Sequence, residues 1–244
     1  MRDRFFVEGV HAAGDRVAFA ADDARKIALV LRKRSGDRVQ VVDSGGVAYA
    51  ATLEVSGRDV RATLDERLER GTPETSLRMT LAQAVPKGQK MDFVVEKATE
   101  LGVEAIVPVR SARVVGHDTS PAKVERWRRI ARSAAQQSGR ARVPDVGDVA
   151  SWDTLVTAFA RYDRVFVPWE LADPRPLREV FEHELDGASS VLIVVGPEGG
   201  FAADEVQRAR EAGARAVSLG RRILRTETAA LVVLSALLYA RGEL

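Results

Sequence analysis

The chain has 244 residues, 45% apolar and 30% charged, enough to bury a substantial core in one large domain or two small ones. Lys and Arg total 37 against 35 Asp and Glu, a net charge of +2 that excludes a uniformly basic, polyanion-coating protein. With no cysteine, a disulfide framework, a thiolate metal site and a cysteine nucleophile are all excluded. The apolar run in Met1–Glu8 is too short for a signal peptide. Up to about residue 70 the segments are short and β-rich. Arg4–Val7, Arg16–Phe19, Arg38–Val42 and Val47–Val55 read as strands, with turns at Gly14-Asp15, Ser35-Gly36-Asp37 and Ser44-Gly45-Gly46. Such close turn spacing predicts a small barrel or sandwich. One helix interrupts it after Asp22-Asp23, with Ile27, Val30 and Leu31 on one face. Glu69–Ser76 reads as a linker.

Beyond the linker the rhythm becomes strand–helix alternation. Leu77–Val85 is a strand, Gln89–Leu101 an amphipathic helix stopped by Gly102, and Ala105–Val109 a strand. Pro121 opens a helix that runs to Gly139, with Val124, Trp127, Ala131, Ala134 and Ser138 as its buried stripe. Strands follow at Arg164–Pro168, Ser190–Val195 and Ala214–Leu219, and Thr226–Ala240 closes the chain as a helix. The longest apolar stretch, Ala229–Ala240, has only 12 residues and cannot span a bilayer, so a soluble intracellular protein is expected. The alternation predicts an α/β domain built on a mostly parallel sheet, with ligands at the carboxyl ends of its strands.

Charge is unevenly placed. Residues 1–75 carry 13 basic and 13 acidic side chains, residues 76–149 carry 13 and 8, and residues 150–244 carry 11 and 14. The middle third is therefore the expected polyanion-facing region, and Lys123–Arg142 is its densest part. The three histidines, His11, His117 and His183, lack metal-ligand spacing, and no G-x-S-x-G elbow occurs.

Two loops carry the chemistry. Val191–Val195 runs into Gly196-Pro197-Glu198-Gly199-Gly200-Phe201, whose glycines let backbone amides come close to a ligand. It is neither a Walker A loop nor a dinucleotide fingerprint, and its acid disfavours a polyphosphate. The next strand leads to Leu219-Gly220 and then Arg221–Ala229. Thr226 or Thr228 is expected to cap the last helix, with Glu227 in its first turn. Arg225 sits beside a helix start, where a cation is unfavourable, and so asks for an anionic partner.

Gly196–Phe201 together with Leu219-Gly220-x-x-Ile223-Leu224-Arg225-Thr226-Glu227-Thr228-Ala229 resembles the bacterial 16S rRNA uridine-N3 methyltransferase family of the SPOUT superfamily. So do Lys97–Val103, Ala135-x-Gln137-Ser138-Gly139-Arg140, Arg4–Val7 and Val30-Leu31-Arg32-x-x-x-Gly36-Asp37, so that the likeness covers nearly the whole chain. Arg25-Lys26 stands where that family often shows a His pair. The resemblance implies a PUA-like β-barrel RNA-binding domain over 1–71 and a SPOUT methyltransferase domain with a carboxyl-terminal trefoil knot over 76–244. It also implies a homodimer in the cytoplasm, S-adenosylmethionine as cofactor, and methylation of a uridine N3 in 16S rRNA of the small ribosomal subunit. On this likeness the cofactor lies against Val167, Pro168, Trp169, Gly196, Pro197, Glu198, Gly199, Gly200, Leu219, Gly220, Ile223, Leu224 and Thr228. Arg225 stabilises developing oxyanion charge. Glu198 is a candidate base that could equally hold the cofactor's amino group or cap its loop. Arg4, Arg32, Gln137, Arg140 and Arg142 are RNA-contact candidates. No metal is expected. The rivals are a non-catalytic RNA-binding assembly protein, which would leave the two glycine loops without a ligand, and an unrelated nucleotide-binding enzyme of doubly wound fold.

Overall fold

A computed structural model describes residues 3–68, 74–114, 119–169 and 177–244; most of the expected linker and His117 lie outside them. The chain divides into two compact units, Met1–Glu74 with Ala135–Arg142, and Thr75–Ala134 with Val143–Leu244.

The first unit is built on β1 (Arg4–Phe6), β2 (Arg16–Ala18), α1 (Ala21–Arg25), β3 (Arg38–Val42), β4 (Ala48–Ser56) and β5 (Asp59–Arg67). Its sheet has the order β1-β3-β4-β5-β2 and is antiparallel except where β1 lies parallel to β3. β5 is a strand beyond those expected, its polar outer positions hiding an alternation in which Val60, Ala62 and Leu64 point inward. Phe5, Ile27, Val41, Leu53 and Leu64 fill the core.

The helix over 21–31 departs from its expected face. After α1 the chain widens into a π-turn over Lys26–Val30, closed by the bond from Leu31 N–H to Lys26 O at 2.9 Å. The wider turn breaks the 3.6-residue phase, so Ile27 is buried while Val30 is 70% exposed. Arg32 follows at φ 53°, alone among the described non-glycine residues in having positive φ.

The second unit holds β6 (Arg78–Ala84), α2 (Lys90–Glu100), β7 (Ala105–Arg110), most of α3 (Pro121–Ser138), β8 (Asp145–Val146), β9 (Ala150–Ser151), α4 (Trp152–Thr157), β10 (Arg164–Pro168), α5 (Leu177–Glu184), β11 (Ser190–Val195), α6 (Ala203–Glu211), β12 (Arg215–Val217) and α7 (Thr226–Ala240). Every strand pair is parallel, in the order β12-β10-β11-β6-β7-β8, with β9 also on β7. β11 is buried along its whole length, as its unbroken Val/Leu/Ile run requires of a strand covered on both faces. The strand order reverses between β6, the unit's first strand, and β11, one of its last. Ligands collect in the crevice at the carboxyl ends beside such a switch point.

Candidate active site

Those carboxyl ends enclose a cavity of about 710 Å³. The Gly196–Phe201 loop after β11, Pro168 at the end of β10, and Ile223–Thr226 at the start of α7 form its walls. A smaller hollow of about 150 Å³, edged by Trp169, Leu219, Gly220, Arg221 and Arg222, shares Pro168, Ile223, Leu224 and Ala229 with it, so the two form one groove.

The loop after β11 is held in a fixed turn. Gly200 N–H donates to Pro197 O at 2.9 Å, and the buried Phe201 ring lies under Gly196 and against Trp152, with centroids 4.8 Å apart. A Cβ on Gly196 would stand 3.3 Å from that ring, so only glycine fits without displacing it. Glu205 completes the frame, accepting from the Ala202 amide at 2.9 Å and the Ala112 amide at 2.8 Å.

α7 is fastened to this loop by a buried hydroxyl. Thr226 Oγ1 donates to Gly196 O at 2.5 Å and accepts from Gln83 Nε2 at 2.8 Å. The expected capping role for Thr226 or Thr228 is therefore corrected. Arg225 is the N-cap residue and makes no side-chain cap bond, because the Thr226 hydroxyl faces the strand ends instead. Arg225 is exposed, lines the cavity, and has no acceptor among the described residues.

Glu198 has partners the sequence reading missed. Its Oε1 accepts from Lys90 Nζ and from the Lys87 amide, each at 3.0 Å. Burial pushes this carboxyl up, but hydrogen bonds from its own amide, Lys90 and Lys87 outweigh that and hold it below the usual carboxylate range. Lys90 Nζ also lies 3.6 Å from Glu227 Oε2, and the hydrogen bond to Glu198, with Glu227 adding to it, raises the ammonium's pKa. Lys90 opens α2, a cation at a helix start, which is the same signal that marks Arg225.

Of the expected cofactor residues, Pro168, Trp169, Gly196–Gly200, Leu219, Gly220, Ile223 and Leu224 come together around the groove. Val167 and Thr228 do not. Val167 is buried inside β10, and Thr228 is an exposed residue of α7 that lines neither hollow. Lys90, Phe201, Thr226 and Ala229 are lining residues absent from the expected cofactor set.

Two RNA candidates are corrected. The Arg140 side chain is only 6% exposed and its guanidinium is spent on Glu74, with Nη2 to Oε2 at 2.7 Å. Arg4 donates to the carbonyls of Gly139 and Arg140 and to Gln40 Oε1. Both hold the first unit together, so neither presents its guanidinium to a phosphate. Arg32, Gln137 and Arg142 are exposed.

Residues 73–238 match the model of the RNA methyltransferase domain. A Bacillus subtilis protein named ribosomal RNA small subunit methyltransferase E is 35% identical over 228 residues, covering 91% of this chain and 89% of that one. The chain belongs to the ribosomal RNA small subunit methyltransferase E family. A crystal structure of the methyltransferase E of Neisseria gonorrhoeae, bound to S-adenosyl methionine, is 32% identical with a TM-score of 0.87 over 98% of each chain. A Legionella pneumophila putative methyltransferase in complex with the same cofactor is 28% identical with a TM-score of 0.89 over 98% of each chain. Membership in this methyltransferase E family gives the groove a chemical context that its geometry alone leaves open.

Proposed function

We propose that this protein transfers a methyl group from S-adenosylmethionine to N3 of a uridine in 16S ribosomal RNA of the small subunit. The observation that carries the reading is the single groove at the strand ends, walled by two glycine loops and edged by an arginine with no protein acceptor among the described residues. The residues fit the cofactor. A cavity of about 710 Å³ suits a ligand of that size. Pro168, Ile223, Leu224 and Ala229 give an apolar wall for a flat base. Glu198 supplies negative charge for a cationic group. Trp169 Nε1, buried without an acceptor among the described residues, is an orphan donor beside the smaller hollow.

When bound, the cofactor supplies an electrophilic methyl group. The protein's part is alignment and electrostatics. The uridine imide must lose its N3 proton, leaving negative charge on the flanking carbonyl oxygens. The Arg225 guanidinium stabilises that charge and so eases proton loss to solvent. Glu198, held anionic by Lys90 and the Lys87 amide, is a poor match for a general base working near neutral pH. Its place is to hold the cationic end of the cofactor.

The further readings rest on particular features. α7 carries Val232 and Tyr239 on one outward stripe and packs on α2, which exposes Phe93; such an apolar face fits a homodimer. The chain leaves β12 at one edge of the sheet, yet Thr226 at the head of α7 bonds to Gly196 after β11 and Gln83 of β6. That return across β10 and β11 supports the reading of a trefoil knot in this unit. The first unit, a PUA-like module, would bind RNA through Arg32, Gln137 and Arg142, and the work is done in the cytoplasm. No described helix is long and apolar enough to cross a membrane.

The test is to incubate the protein with isotopically labelled S-adenosylmethionine and undermethylated small subunits, then analyse nucleosides by mass spectrometry. Labelled 3-methyluridine is expected. Tight calorimetric binding of cofactor without any labelled nucleoside would overturn the reading, and absence of cofactor binding would favour a non-catalytic RNA-binding protein.

A further inference from the structure

Two arginines of the charge run along α3 are engaged by neighbouring groups at the surface. Arg126 Nη2 bonds Asp92 at 2.7 Å, and Arg128 engages Glu125, Asp148 and the Val146 carbonyl. The mouth of the groove shows the opposite balance. Arg221 and Arg222, exposed in the loop after β12, have no acceptor among the described residues. Among the described residues, the exposed Arg113 side chain donates only to the neutral carbonyl of Gly199. Lys87 is exposed beside Glu198, to which it gives its amide while its ammonium has no carboxylate partner among the described residues. The two acids at the site, Glu198 and Glu227, are already engaged by Lys90.

Sheet order places these four cations in two arms. Arg221 and Arg222 follow β12, Lys87 follows β6, and Arg113 follows β7, with the β11 loop between the arms. At about 4.8 Å per strand, the strands that these arms follow lie roughly 15–20 Å apart. We infer that a single RNA strand crosses this mouth with the target nucleotide over the Gly196–Phe201 loop. Its flanking phosphates are held by Arg221 and Arg222 on one side and by Lys87 and Arg113 on the other, not by α3. The inference rests on the reading of the protein as an rRNA methyltransferase. An extended polyanion fits because both arms are cationic, while Lys90 engages Glu198 and Glu227 on the floor between them. Arginine guanidinium is suited to phosphate through its planar fork.

The test measures affinity for an in vitro transcript of small-subunit rRNA at several KCl concentrations. The proteins compared are wild type, Lys87→Ala with Arg113→Ala, Arg221→Ala with Arg222→Ala, and the α3 set Arg126→Ala with Arg128→Ala. Circular dichroism confirms that each is folded. Each arm variant should reduce the slope of log affinity against log salt by roughly 0.7–0.9 for every phosphate it no longer neutralises, while the α3 set keeps the wild-type slope. Loss of slope in the α3 set with unchanged arm variants would overturn the inference. So would polyglutamate displacing the RNA at equal charge concentration, which would mark an acidic-protein site. Wild-type methylation is assayed in parallel, so that unchanged slopes in an active enzyme sink this inference alone, whereas an inactive wild type sinks the underlying reading.

Discussion

Arg225 is a cation placed against the positive end of a helix, with neither a capping bond nor a described acceptor to offset the cost. A side chain left so is positioned for charge that arrives with the substrate. Arg225→Ala should lower single-turnover methylation roughly 100-fold, the scale for losing one donor to a developing oxyanion, with cofactor affinity retained. Arg225→Lys should rescue poorly, since a point charge does not reproduce the fork. Quench-flow at saturating RNA checks this, and wild-type rates in the alanine variant would make Arg225 structural. Asp163 lies at the opposite end of the sheet and shows what a carboxylate does for the fold. It accepts from the amides and hydroxyls of Ser189 and Ser190 at 2.8–3.0 Å, and these bonds, led by the Ser189 amide, lower its pKa to about 2. Its folded pKa is depressed, so its stabilisation is complete above the unfolded value and disappears as pH falls from about 4 through about 2. Asp163→Asn should lower the melting temperature at pH 7, with the gap from wild type closing by pH 2. A gap that is constant over that range would contradict the linkage. Residue-scale reading of the sequence found Arg225 because a helix start was legible beside it. It missed the matching signal at Lys90, because the Lys90–Glu198 pair joins residues more than 100 positions apart and no local spacing encodes it.

At the scale of elements, the longer strands and helices of the second unit were legible because their periods are clean, whereas the two-residue β8 and β9 are too short to show one. Arg164–Pro168, Ser190–Val195 and Thr226–Ala240 fall where the pattern predicts. The π-turn over Lys26–Val30 was not, since a pattern rule assumes a constant period and i→i+5 bonding changes it. The head of α7 was misread for a related reason: Thr226 has a tertiary acceptor, Gly196 O, that outcompetes capping. This tie makes a prediction. Thr226→Val keeps the side-chain shape but removes the bridge between α7, β6 and β11, leaving the Gln83 amide and Gly196 carbonyl short of a partner. It should destabilise the protein by about 1–3 kcal/mol in denaturant unfolding, and Thr226→Ser should restore most of the loss. Among the loop glycines, Gly220 sits at φ 99°, whereas a Cβ on Gly199 would meet only Arg113 at 3.5 Å. Gly220→Val should therefore weaken cofactor binding in calorimetry far more than Gly199→Ala does. Equal effects would remove backbone conformation as the cause.

At the scale of the whole molecule, the change of rhythm near residue 70 marks two different architectures, and their cores contain different residues. What the linear pattern could not show is that Ala135–Arg142, at the end of a helix that starts in the second unit, belongs with the first. Gln136 Nε2 reaches Asp23 at 2.8 Å and Glu74 accepts from the Ala141 amide at 2.9 Å, contacts set by tertiary folding. The basic run in α3 was legible as charge but not as function, because counting charges does not count partners. α7 raises the last question at this scale. It buries Ala230, Val233, Leu234, Leu237 and Leu238 inward, yet Val232 and Tyr239 remain on its outer stripe, with Tyr239 77% exposed, and Phe93 emerges from α2 against which it packs. A helix that is apolar on both faces is ordinarily covered on both. A second copy of the chain is the occupant implied by the family likeness, and a two-fold interface would repeat the same stripe on each partner. Light scattering after size exclusion should then give twice the 26.6 kDa chain mass. Val232→Glu with Tyr239→Glu should shift it to the single-chain mass, since burying a carboxylate without a partner costs more than the face can return. A wild type of single-chain mass, or a double variant that still doubles, would leave α7 exposed for another reason.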